Sequence, residues 1–249
     1  LCAARAGVRF TLFHISGPHV SKKETNRARA WAEQRGYTLT IVPVNVLDIP
    51  EVQKNCRERC YYCKHALFSV LRDSAGTTNV CDGTNATDLK SLRPGLRALK
   101  ELQIISPLAE AGFEKHEVRQ AARQLGLERP DQPARPCLLT RFAYDTQLTK
   151  TELALIGALE EEAELKLREL FPNAPEAPDF RIRVTSERGA ELHVAAMLLP
   201  NQITALQDAL NVRLAKELAQ ACAQDHSLEP LAALFKTMPV RKSNTLSGY

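Results

Sequence analysis

Arg9-Phe10-Thr11-Leu12-Phe13-His14, Ser21-Lys22-Lys23-Glu24 and Thr38-Leu39-Thr40-Ile41-Val42-Pro43-Val44-Asn45 are the stretches whose reading decides the fold. The first and third are short runs rich in β-branched or aromatic residues, the composition of strands. Between them, Glu24 stands three residues after Ser21, the spacing of a capping box. Ala28, Trp31 and Ala32 then share one helical face, and Gly36 is placed to stop that helix. The order is strand, helix, strand.

The same alternation continues outward. Asn79-Val80-Cys81-Asp82 reads as another buried strand, ending at Gly83. Leu92, Leu96 and Leu99 give a helical stripe, and Ile104-Ile105 a further strand. Val118, Ala121, Ala122 and Leu125 repeat at i, i+3, i+4 and i+7, with Gly126 closing the helix. This pattern predicts an α/β fold, a parallel sheet with helices on both faces. Ligands of such sheets collect at the carboxyl ends of the strands. Asp82, Gly83, Thr84 and Asn85 follow a predicted strand, so a nucleotide is expected there. Their plainer reading is a polar loop with turn chemistry.

Between residues 128 and 148 the pattern breaks. Pro130, Pro133 and Pro136 stiffen a loop that ends in Cys137. Beyond it, Ile156, Leu159, Ala163, Leu167 and Leu170 mark a long helix, and Ile203, Leu206, Leu210, Leu214 and Leu218 another. Phe180, Ile182 and Val184 alternate as a strand that pairs with a run from Leu192 to Leu198, after a turn at Pro172, Pro175 and Pro178. Two domains are therefore expected: an α/β domain over 1–147 and a smaller α+β domain over 148–249.

Composition narrows the function classes. The 249 residues are 44% hydrophobic and 25% charged, as in ordinary globular proteins. A formal net charge of +4 suits an anionic substrate but gives little support to nucleic-acid binding. No run of about 18 apolar residues predicts a transmembrane helix, and no basic-then-apolar start predicts export. A cytoplasmic protein without a membrane partner is the expectation.

The seven cysteines, Cys2, Cys56, Cys60, Cys63, Cys81, Cys137 and Cys222, are odd in number and unevenly spaced. Without an export signal, the close cluster reads as metal binding or catalysis rather than as a disulfide framework. Cys60-Tyr61-Tyr62-Cys63 lets two sulfurs converge on one metal or exchange a disulfide. Structural zinc, redox or iron–sulfur work and coincidence all remain open for a lone CxxC. Cys56 is an available fourth ligand, yet neither a second CxxC nor a paired histidine completes a simple zinc site. Two close cysteines and a distant third suit an iron–sulfur cluster with one iron left open. Cys137 read alone is a thiol in a loop, and Cys2, Cys81 and Cys222 have surroundings that suit buried thiols.

Arg181 and Arg183 stand two apart in a predicted strand, so both forks share a face and suit a phosphate or carboxylate. The plainer alternative is a solvated strand face. Read singly, Arg141 is a surface cation, Glu110 a helix-end charge, and Glu160-Glu161-Glu162 with Glu164 a solvated helix flank.

Taken in order, several segments strongly resemble the LarE family: Arg59-Cys60-Tyr61-Tyr62-Cys63-Lys64, Asp82-Gly83-Thr84-Asn85, Arg93-Pro94-Gly95-Leu96-Arg97-Ala98-Leu99, Ser106-Pro107-Leu108-Ala109-Glu110 and Pro136-Cys137-Leu138-Leu139-Thr140-Arg141. Arg181-Ile182-Arg183-Val184 continues the match, which covers roughly residues 8–200. LarE proteins are PP-loop ATP pyrophosphatases. The resemblance implies an adenine nucleotide α-hydrolase-like fold and, with it, a sulfurtransferase. ATP with magnesium activates a carboxylate of a pyridinium dicarboxylate mononucleotide, and a sulfur nucleophile then displaces AMP. The product belongs to the assembly of a nickel-pincer cofactor.

The resemblance also implies site roles. Some members sacrifice the cysteine matching Cys137 and are left with dehydroalanine. Others carry the CxxC as well and hold a four-iron four-sulfur cluster on three cysteines, which here are Cys60, Cys63 and Cys137. The second version is favoured. Arg181 and Arg183 are then expected to hold the substrate phosphate, Arg141 to sit beside Cys137 near the substrate and bind it, and Glu161 or Glu164 to contact substrate. The nucleotide falls to Asp82, Gly83, Thr84 and Asn85. A homo-oligomer is implied, and the sulfur donor is left unspecified. Three departures stand out. The family's Ser-Gly-Gly-x-Asp-Ser loop is absent and by register belongs just before Leu1, so these 249 residues alone are not expected to activate ATP; the start at Leu1 rather than Met and the stop at Tyr249 read as cut ends of a longer protein. Thr140 stands where the family usually has serine, and His193 lies where a glutamate is frequent. The rivals are a PP-loop tRNA thiolation enzyme, a zinc-bound non-catalytic relative and an amide-forming ligase of the NAD synthetase kind.

Overall fold

The computed structural model describes residues 2–77, 79–91, 93–174, 176–185, 189–222 and 238–243. Leu92, Pro175 and the side chain of Cys222 lie outside the described residues. The chain divides into two compact units: 1–17, 25–52 and 57–133 make the first, and 18–24, 53–56 and 134–249 the second.

In the first unit, α1 (Cys2–Arg5) precedes β1 (Leu12–Ser16), α2 (Lys22–Gln34) and β2 (Leu39–Pro43). β1 and β2 pair in parallel with Leu12 opposite Leu39 and Ser16 opposite Pro43. This is the strand–helix–strand unit expected from the opening stretches. The α2 cap forms as the spacing predicts, with the Glu24 N–H donating to Ser21 Oγ at 3.2 Å. Ala32 is the one fully buried residue of α2, and Gly36 takes a φ of 70°, which a side chain would resist.

The remaining elements of this unit are α3 (Pro50–Gln53), α4 (Arg59–Ala75), α5 (Ala86–Leu89), α6 (Pro94–Glu101), α7 (Pro107–Glu110) and α8 (Lys115–Gln124). The strands expected at Asn79–Asp82 and at Ile104-Ile105 form only one parallel bridge, between Cys81 and Ile105. Its bonds run from the Asp82 N–H to the Ile105 carbonyl at 2.9 Å and from the Ile105 N–H to the Val80 carbonyl at 3.0 Å. The ordered sheet of this unit is therefore smaller than expected. Leu67 and Leu71 of α4 and Ala98 and Leu99 of α6 are buried where these two helices pack together.

A glycine sets how closely α6 backs the CxxC turn. Gly95 is buried, and a Cβ there would lie 2.8 Å from Lys64 Cδ and 3.4 Å from the Cys60 carbonyl oxygen. The lysine arm can swing aside but the backbone carbonyl cannot. Gly95→Leu is expected to cost about 1–3 kcal/mol as an overpacked contact, read as a lowered urea midpoint with an unchanged slope.

The second unit contains α9 (Lys150–Leu170), β3 (Phe180–Val184), β4 (Ala190–Val194), α10 (Pro200–Cys222) and β5 (Val240–Lys242). Thr149 and Glu152 cap α9 reciprocally, at 3.1 Å and 3.0 Å. Ile156, Leu159, Ala163 and Leu167 of α9 are buried, as are Leu206, Leu210 and Leu214 of α10, which packs along it. β3 and β4 are antiparallel and β4 and β5 parallel. The pairing strand thus runs over Ala190–Val194, starting two and ending four residues before the Leu192–Leu198 run expected, because the buried alternation ends at Val194. The fold class is α/β, with a two-stranded parallel sheet and a mixed three-stranded one among the described residues.

Candidate functional site

Cys137 is the N-cap of a short 3-10 turn, Leu138–Arg141, in the second unit. Pro133 and Pro136 bring no N–H, so the segment cannot satisfy its carbonyls by a continuous ladder of its own. Neighbouring groups do so instead. The Cys137 carbonyl accepts from the Thr140 N–H at 3.1 Å and from Thr140 Oγ1 at 2.8 Å. The Leu138 N–H donates to the His19 carbonyl at 2.9 Å. Leu138 and Leu139 anchor the turn in the core, and the Cys137 side chain is half-buried.

Around this turn lies a set of buried charges. Arg141 donates from Nε and NH2 to the two carboxylate oxygens of Glu160 at 2.7 and 3.0 Å, and from NH1 to Thr140 Oγ1 at 2.9 Å. Side-chain exposure is 5% for Arg141 and 14% for Glu160, so this is a bidentate pair shielded from water. The Glu160 carboxylate also accepts the Ile182 N–H of β3 at 3.0 Å. Arg141 is therefore not a surface cation, and Glu160 is not on a solvated flank. Glu164 is buried too, and meets Lys23 at 2.9 Å, Arg168 at 3.2 Å and Arg135 at 3.6 Å. Arg135 pairs in turn with Glu24 at 2.7 Å. Glu161 stands half-buried one residue on from Glu160.

Arg181 and Arg183 do share a face of β3, but that face is not solvated: they are 5% and 8% exposed. Arg181 pairs with Asp179 and donates to the carbonyls of Phe180 and Ala134. Arg183 donates to the Thr140 carbonyl at 2.9 Å. By register Arg181 lies opposite His193, Arg183 opposite Glu191, and His193 opposite Arg241. All five therefore occupy one face of the sheet, while Ile182, Leu192 and Val240 occupy the other.

Glu191 sits between a histidine and an arginine on that face. His193 Nε2 lies 2.9 Å and Arg241 Nε 2.8 Å from its carboxylate oxygens. Burial alone favours the neutral acid, but the hydrogen bonds and charges of His193 and Arg241 outweigh it and hold the pKa below 4.5. A carboxylate whose folded value is the lower one stabilises the fold above its ordinary pKa and loses that contribution as pH falls through the folded value. Glu191→Gln is thus expected to be less stable than the parent by about 0.5–1 kcal/mol at neutral pH. The gap should close as pH falls through the lowered folded value, which melting curves recorded against pH would show.

In the first unit, Cys60 and Cys63 occupy the first two turns of α4, three residues apart on one helical face. Cys60 is exposed and Cys63 buried. Tyr61, between them, donates from its hydroxyl to Glu101 at 2.8 Å, and Arg97 stacks 3.8 Å above its ring. The Glu101 hydrogen bond, with some loss of hydration, pushes the Tyr61 phenol above 10.0. Cys2 and Cys81, expected to be buried, are exposed. Both sit where the chain forms too little structure to cover them, a four-residue helix and a single bridge.

The Asp82 loop follows that bridge. Asp82 accepts from the Thr84 N–H at 3.1 Å, from Thr84 Oγ1 at 2.5 Å and from Ser106 Oγ at 2.7 Å. Asn85 caps α5 through a capping box with Asp88. A Cβ at Gly83 would meet open space. Turn chemistry holds the loop, and Ser106, read from the sequence only as part of a resembling segment and given no role, joins it. Glu110 likewise accepts the Ser106 N–H at 3.3 Å, tying down the start of α7.

Within neither unit do the described His, Cys, Asp and Glu side chains gather in a group of three or more able to hold a metal ion. Cys60 and Cys63 belong to one unit and Cys137 to the other. Among the described residues no helix is long and apolar enough to cross a membrane.

No protein-family model matches the chain. Over 222 residues it is 34% identical to the uncharacterized protein slr1717 of Synechocystis, covering 88% of this chain and 72% of that one. Over 150 residues it is 37% identical to the uncharacterized protein MJ0830 of Methanocaldococcus jannaschii, 59% of this chain and 57% of that one. Over 141 residues it is 33% identical to the pyridinium-3,5-bisthiocarboxylic acid mononucleotide synthase of Lactiplantibacillus plantarum, 55% of this chain and 51% of that one. The chain thus spans about half the length of the synthase. On identity sustained over 72% of that relative, the chain belongs to the family of slr1717, and over about half of its length it resembles the synthase.

Proposed function

We propose that this protein is an ATP-dependent sulfurtransferase of the cytoplasm that converts a carboxylate of a pyridinium dicarboxylate mononucleotide into a thiocarboxylate. The similarity to the Lactiplantibacillus synthase carries this reading. The firmly held Cys137 turn is the kind of feature such chemistry needs.

The steps follow from the chemistry of a carboxylate. Its oxygen is a poor leaving group, so it first attacks the α-phosphorus of magnesium-bound ATP and pyrophosphate departs. A sulfur nucleophile then adds to the activated carbonyl carbon, and AMP leaves with the electron pair of the broken C–O bond. Asp82, Gly83, Thr84 and Asn85 would line the nucleotide, with Gly83 leaving room for close approach. A guanidinium carries five N–H donors, so Arg181 and Arg183 can bond backbone carbonyls and still meet a substrate phosphate. Glu161 and Glu164 would border the substrate, and Arg141, bonded to Thr140 and Glu160, would act through Thr140.

For the sulfur, thiolates are the usual ligands of an iron–sulfur cluster, and this reading assigns three of them: Cys60 and Cys63, on one face of α4, and Cys137. A four-iron four-sulfur cluster held there would supply sulfide from its open iron. Anaerobic purification with iron and sulfide analysis tests this, beside Cys60→Ala, Cys63→Ala and Cys137→Ala. About four irons per chain, lost in each variant, support the cluster. Iron-free protein whose Cys137 loses the mass of hydrogen sulfide on turnover overturns the cluster but keeps the sulfurtransferase, with Cys137 as sacrificial donor. Stoichiometric zinc with no thiolated product overturns both.

A further inference from the structure

We propose that Arg181 and Arg183 are positioning residues for Cys137, holding the backbone on both sides of it. The role rests on the sulfurtransferase reading, in which Cys137 is the reacting or sulfur-holding thiol.

Arg181 donates to the carbonyl of Ala134, three residues before Cys137. Arg183 donates to the carbonyl of Thr140, three residues after it, at 2.9 Å. The two arginines alternate on β3, so a single rigid strand presents both forks to one segment. Their own places are set. Asp179 pairs with Arg181, and the N–H of Ile182, between the two, is held by Glu160. At its carboxyl end the strand stays attached to the chain leaving the turn, since the Ala143 N–H donates to the Val184 carbonyl at 3.1 Å and Phe142 bridges Val184 in parallel.

The segment requires such donors. Pro133 and Pro136 interrupt any ladder it could form, so the carbonyls at Ala134 and Thr140 need partners from elsewhere. Arginine is suited to this because its donors lie in a fixed plane and stay charged. Thr140 then relays the hold inward: its carbonyl takes Arg183, and its hydroxyl and N–H take the Cys137 carbonyl. A phosphate arriving at these arginines would share forks with the Cys137 segment, so that substrate and thiol are placed by the same two side chains.

Alkylation of the protein by iodoacetamide, without substrate, tests the assignment. The rate at the Cys137 peptide is measured by mass spectrometry against the peptide of the exposed Cys81 in the same digest. Arg183→Met and Thr140→Val are expected to change this ratio at least threefold while the circular dichroism spectrum and melting transition are kept. Thr140→Ser, which retains the hydroxyl, should return the ratio to the parent value, a rescue that general loosening of the fold would not produce. If Arg183→Met fails to fold, Arg183→Lys, which keeps the charge but not the fork, and Arg181→Met decide. Equal ratios in the parent and in these arginine variants overturn the proposal, whatever reaction the protein catalyses. A changed ratio in a protein that makes no thiocarboxylate keeps the clamp and removes only the reading of what it serves.

Discussion

Replacing Glu160 by alanine is expected to destabilise the protein by about 3–5 kcal/mol, the usual cost of removing one partner from a buried ion pair. Three groups lose their acceptor together: Arg141 Nε, Arg141 NH2 and the Ile182 N–H. Arg141, with a side chain 5% exposed, would keep its charge with little water to solvate it. For a chain of this length each kcal/mol corresponds to roughly 2–4 °C, so the melting temperature should fall by about 6–20 °C. Arg141→Met beside Glu160→Leu should recover much of the loss, because replacing both charges by apolar groups removes the uncompensated one. A Glu160→Ala protein that melts within about 2 °C of the parent would show that water reaches the pair.

The second large effect concerns Cys137. Cys137→Ser is expected to lower thiocarboxylate formation at least ~10³-fold, the order of loss seen when a nucleophile that works as part of a unit is removed. An alkoxide donor cannot supply sulfur, so the product should be missing rather than slow to appear. Carboxylate activation does not involve the thiol, so in the protein that carries the family's Ser-Gly-Gly-x-Asp-Ser loop pyrophosphate release should persist. Product assayed by mass spectrometry and pyrophosphate assayed in parallel separate the two steps. Thiocarboxylate formed at the parent rate would place the sulfur elsewhere, with Cys60 and Cys63 the residues to examine next.

The long elements were legible because their signals are local. The Ser21–Glu24 spacing and the apolar faces of α9 and α10 follow from backbone geometry alone, and they appear where the pattern puts them. Shorter strands were less so. Asn79–Asp82 has strand composition, yet a strand exists only through its neighbours, and here the pairing is one bridge. The cysteines divide in the same way. Their spacing puts Cys60 and Cys63 on one helical face, but whether a thiol is covered depends on what packs over it, and Cys2 and Cys81 are left exposed.

What the sequence by itself determined is the α/β character, the helix carrying Cys60 and Cys63, the proline-bounded segment ending in Cys137, and the placing of Arg181 and Arg183 on one strand face. These depend on residues close together in the chain. What only the tertiary structure decided is which charges are buried and whom they meet. Glu160 and Arg141 are 19 residues apart, and Arg183 reaches a carbonyl 43 residues away. A run of three glutamates carries no local sign that its first member lies against an arginine and a strand N–H. In water an isolated carboxylate would stay solvated. Only the arrival of three donors from other elements makes its burial stable, and such an arrangement is a property of the folded chain.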